Sequence, residues 1–153
     1  MGWIFQSNPR RFNLDEYRAK NHALVYWWTP FHQREIKQGD LAFIWRAGRH
    51  AGVVAIGSIV EGPVHRFKVN SPEFLADELW YEQVPDSNPD EQTVGIALTE
   101  VRLTQDMGML RRQDLSKDSI FSKHPIITAP RRTVFPLDSS AEQRLLLYWQ
   151  GGI

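Results

Sequence analysis

Two consecutive apolar stretches decide the fold: Gly39-Asp40-Leu41-Ala42-Phe43-Ile44-Trp45, and then Gly52-Val53-Val54-Ala55-Ile56-Gly57-Ser58-Ile59-Val60. Gly39-Asp40 reads as a turn feeding a short strand that Gly48 closes. The second run is continuously apolar with glycines at 52 and 57, as expected of a buried strand that bends or carries a bulge. Two buried strands in succession need further strands around them. Working outward, Trp3 to Gln6 reads as a first strand stopped at Ser7-Asn8-Pro9, and Leu24 to Trp28 as a second ended by Thr29-Pro30. Between them Asn13 precedes Leu14 to Lys20, acids early and bases late, which predicts a short helix after an N-cap.

Beyond the central run, Leu79 to Val84 is a candidate strand and residues 85–90 a loop. Thr93 to Leu103 alternates as a strand, offering Val94, Ile96, Leu98, Val101 and Leu103 to the core. Asp106 to Asp114 reads as weakly helical. Pro125 and Pro130 bracket Ile126-Ile127-Thr128, and Val134 to Leu137 reads as a short edge strand. A last helix starts at Ser139, where Ser139-Ser140-Ala141-Glu142 has capping-box spacing, with Leu145, Leu146 and Trp149 as its buried stripe. The expected fold is α+β, mainly β: a bent sheet of about five to seven strands closing into a barrel flanked by short helices.

The 153 residues and 17.8 kDa suit one domain, residues 1–153, that buries about two-thirds of its unfolded surface. Gly151-Gly152 reads as a helix stop or as the start of a linker to a removed domain. Eighteen basic and eighteen acidic side chains cancel, which excludes an indiscriminately basic nucleic-acid binder and a polybasic membrane anchor. The average conceals a pattern: residues 1–60 carry +4, residues 61–100 carry −7 and residues 101–135 carry +4. There is no cysteine, which excludes disulfide frameworks, thiolate zinc sites and cysteine nucleophiles. No stretch approaches the roughly 18 apolar residues of a membrane span, and the N-terminus lacks a signal-peptide pattern. The chain reads as soluble and cytoplasmic, with no membrane partner.

Chemistry-bearing spacings point away from an enzyme. His22, His32, His50, His65 and His124 never stand two or four residues from one another, so metal-ligand spacing is missing, and no cofactor motif or nucleophile elbow occurs. Asp15-Glu16 and Asp77-Glu78 are adjacent pairs that face apart. The aromatic residues say more. Trp27 and Trp28 are neighbours in a strand, so they cannot both enter one core layer, and a buried indole N–H needs a partner. Trp45 ends its strand beside Arg46, Gly48 and Arg49, setting an aromatic plane next to cations, as a nucleobase site requires. Filling a small barrel is the competing reading for any single tryptophan.

Trp3-Ile4-Phe5-Gln6-Ser7-Asn8-Pro9, Gly39 to Trp45 with Gly48, Gly52 to Gly57, and Pro130 to Leu137 before an acidic-start helix together resemble an EVE domain. That family belongs to the PUA-like superfamily, related to YTH and ASCH domains. The resemblance implies a bent β barrel whose pocket takes a flipped-out modified base. It implies a reader of modified bases of 5-methylcytosine type in DNA, serving modification-dependent restriction or defence, with a fused or associated nuclease or ATPase as a candidate partner. On this likeness Gln6, Ser7 and Asn8 match the polar loop that addresses the base edge. Trp27 matches the first cage tryptophan of the YTH relatives, and Trp45 an aromatic near the pocket mouth. Trp28 stands where those relatives have a small polar residue, a departure from the N6-methyladenine pattern; Thr29 follows it in the candidate pocket. Phosphate contacts fall to Arg10, Arg11, Arg34, Lys37, Arg46, Arg49, Arg111, Arg112, Arg131 and Arg132. No cofactor is expected. An RNA-binding module and an enzyme acting on a modified nucleotide stand as the alternatives.

Overall fold

The computed structural model describes residues 1–7, 23–29, 32, 34–74 and 92–151. Its strands are β1 (Gly2–Ser7), β2 (Leu24–Trp28), β3 (Leu41–Arg46), β4 (Gly52–Val64), β5 (Thr93–Val101), β6 (Leu110–Arg111) and β7 (Val134–Leu137). Its helices are α1 (Arg112–Leu115), α2 (Pro125–Thr128) and α3 (Ser139–Gly151), with short 3-10 turns at 66–68, 72–74 and 121–123. The predicted helix at 14–20, the strand at 79–84 and the loop at 85–90 lie outside the described residues. No described helix is long and apolar enough to cross a membrane.

The seven strands form one mixed sheet in the order β2-β5-β4-β3-β1-β7, with β6 added beside the start of β4. Only β1 and β3 run parallel among the described strands; the other pairings are antiparallel. Strand alternation sorts the apolar side chains onto two faces. Trp3 and Phe5 of β1, Val25 and Trp27 of β2, Ala42 and Ile44 of β3, Val94 and Ile96 of β5, and Val134 of β7 share one buried cluster. Strands from both ends of the sheet order meet in that cluster, so the sheet is rolled around it as a barrel. Ile4, Phe43, Trp45 and Phe135 face the other way into a second cluster, closed by Leu115 of α1, Phe121, Ile126 of α2 and Leu145 and Trp149 of α3.

Glycines make the roll possible at two points. Gly57 sits at a register shift between β4 and β5, and a Cβ there would lie 2.1 Å from the Ala97 carbonyl oxygen. Further shifts fall between Ile59 and Glu61 and between Glu61 and Val64, so the 13-residue β4 bends along its length. At Gly52 a Cβ would lie 2.1 Å from the Leu110 carbonyl oxygen, and this close approach brings in β6.

Two expectations change in the structure. Instead of a weak helix, residues 106–114 form a turn with Gly108 at φ +95°, then β6, then the single turn α1. A positive-φ glycine breaks the helical run, and pairing with Gly52 and Val53 supplies backbone partners that the local sequence does not reveal. The cap of α3 is Asp138, not Ser139: its Oδ1 accepts from the Ala141 N–H at 2.8 Å, and its carbonyl accepts from Glu142 at 2.9 Å. Leu137 is still paired with Gly2 and fully buried, so the chain leaves the sheet one residue before the serine pair.

Candidate nucleic-acid interface

The parallel β1–β3 pairing puts the ends of both strands at one end of the sheet, with Ser7 opposite Arg46. Arg46 pairs with Gly52, and Gly52 with Arg111. The Gln6 backbone N–H donates to the Thr133 carbonyl at 2.7 Å, and its side-chain Nε2 donates to the carbonyls of Pro130 (3.1 Å) and Arg132 (2.7 Å). Both amide hydrogens of Gln6 therefore hold the Arg131-Arg132 segment against the end of β1. Six of the candidate phosphate ligands, Arg46, Arg49, Arg111, Arg112, Arg131 and Arg132, gather at this end. Arg34 and Lys37 stand at the opposite end, on a segment tied to the beginning of β3 through Asp40, whose backbone N–H donates to the Lys37 carbonyl at 3.1 Å.

Ser7 is in phase with Trp3 and Phe5, so it faces the barrel interior, where it is only 3% exposed. Its hydroxyl has no hydrogen-bond partner among the described residues. Trp27 packs in the same interior, whereas Trp28 points to the opposite face of β2 and is half-buried. The Trp28 indole N–H likewise has no partner among the described residues, although Trp3 donates its own to Asp40 Oδ2 at 2.9 Å. Thr29 is buried, with its Oγ1 donating to the Gln92 carbonyl at 3.1 Å. The structure does not bring Trp45 to Trp27: it lies on the other face of the sheet, 2% exposed in the second cluster. Asn8, Arg10 and Arg11 lie outside the described residues.

Sequence reasoning missed His32. Its backbone turns at φ 63° while its carbonyl accepts from the N–H groups of Glu35 and Ile36, and its ring lies 5.4 Å from that of Trp3. Glu35 Oε2 stands 3.1 Å from Nδ1, which favours a proton there and leaves Nε2 an acceptor in the neutral ring. That Nε2 is buried with no partner among the described residues. No local pattern marks it beyond a turn-forming proline two positions earlier. Ser7 Oγ, Trp28 Nε1 and His32 Nε2 thus offer a hydroxyl, a donor and an acceptor. About 13 Å of strand separates Ser7 from the Trp3 against which His32 rests, which suits an extended ligand better than a single ion.

The groups with displaced pKa values belong to the scaffold. Burial and the Glu61 hydrogen bond raise that of Tyr26, whose hydroxyl donates to Glu61 Oε1 at 2.6 Å and accepts from the Ser71 N–H at 3.1 Å. Burial pushes the Asp118 carboxyl up, but hydrogen bonds from Tyr148, Phe121 and Ile120 and the charge of Arg144 outweigh it and hold the pKa below 3.8. Burial lowers that of His124, against smaller opposing effects of the Pro136 carbonyl and Asp138.

The sequence profile of the EVE domain matches residues 2–147. This chain belongs to the EVE domain family. Solved structures similar to this EVE domain include a hypothetical protein from Leishmania major, 17% identical, with 97% of this chain and 94% of that chain covered and a TM-score of 0.68. Another is the DUF55 domain of human thymocyte nuclear protein 1, at 16% identity, 99% coverage of each chain and a TM-score of 0.66. A third is human THYN1 protein in complex with 5-methylcytosine-containing DNA, at 15% identity, 97% coverage of each chain and a TM-score of 0.63. At these identities the likeness shows the fold. No curated protein sequence gives a match.

Proposed function

We propose that this EVE domain is a non-enzymatic reader of nucleic acid that takes a flipped modified base, of the 5-methylcytosine type in DNA, into the aromatic interior beside Ser7 and Trp27. One observation carries the reading: among the described residues, the buried Ser7 Oγ in the interior that holds Trp27 and the buried His32 Nε2 beside Trp3 have no hydrogen-bond partner. Each unpaired buried group costs about 1–3 kcal/mol, which a hydrogen-bonding ligand would recover. The arginines at the end of β1 and β3 supply the charge for phosphate, and the DNA-bound human structure of the same fold supports DNA as the partner.

The magnitudes assign the roles. Extruding a base costs a few kcal/mol, and stacking against an aromatic ring returns about 1–3 kcal/mol. A buried methyl adds only about 0.8 kcal/mol, so discrimination rests on polar contacts that the right base edge alone satisfies. The displaced pKa values belong to the scaffold: burial shifts those of Tyr26 and His124, and hydrogen bonds with the charge of Arg144 hold down that of Asp118, away from the proposed base site.

The test is a titration of matched oligonucleotides carrying 5-methylcytosine, 5-hydroxymethylcytosine, N6-methyladenine or no modification, in DNA and RNA backbones. Tighter binding of one modified DNA, lost in Trp27→Ala, is the expected result. Equal affinity across the panel would refute the reader, and a preference for the RNA series would replace DNA as the ligand.

A further inference from the structure

Next to Ser7 the protein carries a groove of about 1120 Å³ between the β3–β4 turn and residues 103–113. The Ala47 N–H donates to the Ser7 carbonyl at 2.8 Å, so the groove begins beside Ser7. Its volume exceeds the roughly 300–1,000 Å³ of ordinary small-molecule sites. Arg46, Arg49, Arg111 and Arg112 line it against one carboxylate, Asp106. Asp114 pairs with Arg111 at 2.9 and 3.2 Å, and Arg112 donates one N–H to the Ile127 carbonyl at 3.2 Å, so basic groups still outnumber acidic ones around the groove.

The floor is of a different kind. Leu103 and Met109 supply apolar surface, and Gln105 lines it with an amide able to pair with a base edge. The Arg46 guanidinium is held over this floor, donating to the His50 carbonyl at 3.3 Å and to Met109 Sδ at 3.5 Å. A guanidinium plane and a thioether are both favourable against an aromatic ring. Arg49 is exposed on the turn, with Gly48 at φ +99° beside it. A groove made only for phosphate would need the cations without the apolar floor and the amide.

We propose that this groove holds an unpaired nucleotide adjoining the read base, its base on Leu103 and Met109 beneath Arg46 and its phosphate on Arg49 and Arg112. The inference rests on the reader function and adds to it a second base site, so that the ligand is an opened or single strand of at least two nucleotides.

The experiment measures fluorescence anisotropy of single-stranded oligonucleotides containing the modified base, with the 5′ or the 3′ neighbour replaced by an abasic unit. The proteins are the wild type, Arg49→Glu and, as a control on the helix-covered face, Lys123→Glu, whose side chain is exposed. Removing the neighbouring base on one side is expected to weaken wild-type binding about 5- to 100-fold, the range of one stacked base. Arg49→Glu is expected to weaken binding at least about fivefold and to reduce the slope of log affinity against log salt by about 0.7, with Lys123→Glu within about twofold of wild type. The proposal is overturned if neither abasic substitution matters, or if Arg49→Glu weakens binding no more than Lys123→Glu. Retention of both effects without preference for the modified base would sink the base-reading pocket and leave the groove standing. The opposite pattern would sink the groove alone.

Discussion

Two regions of the molecule treat buried polar groups in opposite ways. On the helix-covered face the Asp118 carboxylate accepts from the backbone N–H groups of Ile120 (2.8 Å) and Phe121 (3.1 Å), from Arg144 (2.9 Å) and from the Tyr148 hydroxyl. His124 uses both ring nitrogens, Nδ1 accepting from the Ile126 N–H at 3.1 Å and Nε2 facing the Pro136 carbonyl at 3.3 Å. The Trp149 indole donates to Glu100 at 3.3 Å, with Arg102 stacked 4.1 Å over its ring. Among β1, β2 and the segment after β2, by contrast, Ser7, Trp28 and His32 each hold a buried polar atom with no hydrogen-bond partner among the described residues. Native folds rarely leave such groups unmet, so a polar group left open beside the interior marks where the protein gives up stability for a ligand.

Substitutions break this contrast in graded ways. Trp45→Ala removes a tryptophan from the closed face and should cost about 3–5 kcal/mol of unfolding free energy in urea titration, with binding lost only as the fold is lost. Asp118→Ala leaves Arg144 and Tyr148 without their shared acceptor and should cost about 3 kcal/mol by the same measurement. Ser7→Ala should act in reverse. With no hydrogen bond to the described residues to lose, its unfolding midpoint stays level or rises slightly, while affinity for the modified oligonucleotide falls about 5- to 10-fold, near 1–1.5 kcal/mol. A Ser7→Ala protein as destabilised as the Asp118 variant would erase the distinction.

The smallest effect is a pH dependence. Burial holds the His124 pKa below 6.5, so the neutral ring belongs to the native state. Its contribution is complete above the unfolded value of about 6.5 and is lost as pH falls below it toward the folded value. The wild-type urea midpoint should therefore drop between pH 7.5 and 5.5, and His124→Asn should flatten part of that drop. Asp118 responds at lower pH: its depressed carboxyl contributes fully above about 3.8 and loses that contribution as pH falls further.

Much of the barrel is written in local sequence. The alternation of Trp3 to Gln6, the unbroken run from Gly52 and the alternation from Thr93 predict β1, β4 and β5, and Gly57 marks the bulge that bends them. Register is not local, and the misses follow from it. Nothing within residues 106–114 announces that Leu110 will pair with Val53, and nothing near Trp45 says that it faces the helices while Trp27 faces the interior. The gathering of Arg46, Arg111 and Arg132 at one end depends on the parallel β1–β3 pairing, which a single sequence does not encode in any short motif. Gln6 shows the limit most plainly: its amide suits a base edge, yet its hydrogens hold the backbone of Pro130 and Arg132.

The contrast between the two regions can be observed at the indole N–H groups by nitrogen–proton NMR, with Trp28→Phe assigning the Trp28 signal. On saturation with the modified oligonucleotide the Trp28 indole resonance should shift strongly, while those of Trp3 and Trp149, already bonded to Asp40 and Glu100, remain near their free positions. A Trp28 signal unmoved at saturation, with Trp149 shifting in its place, would contradict the account.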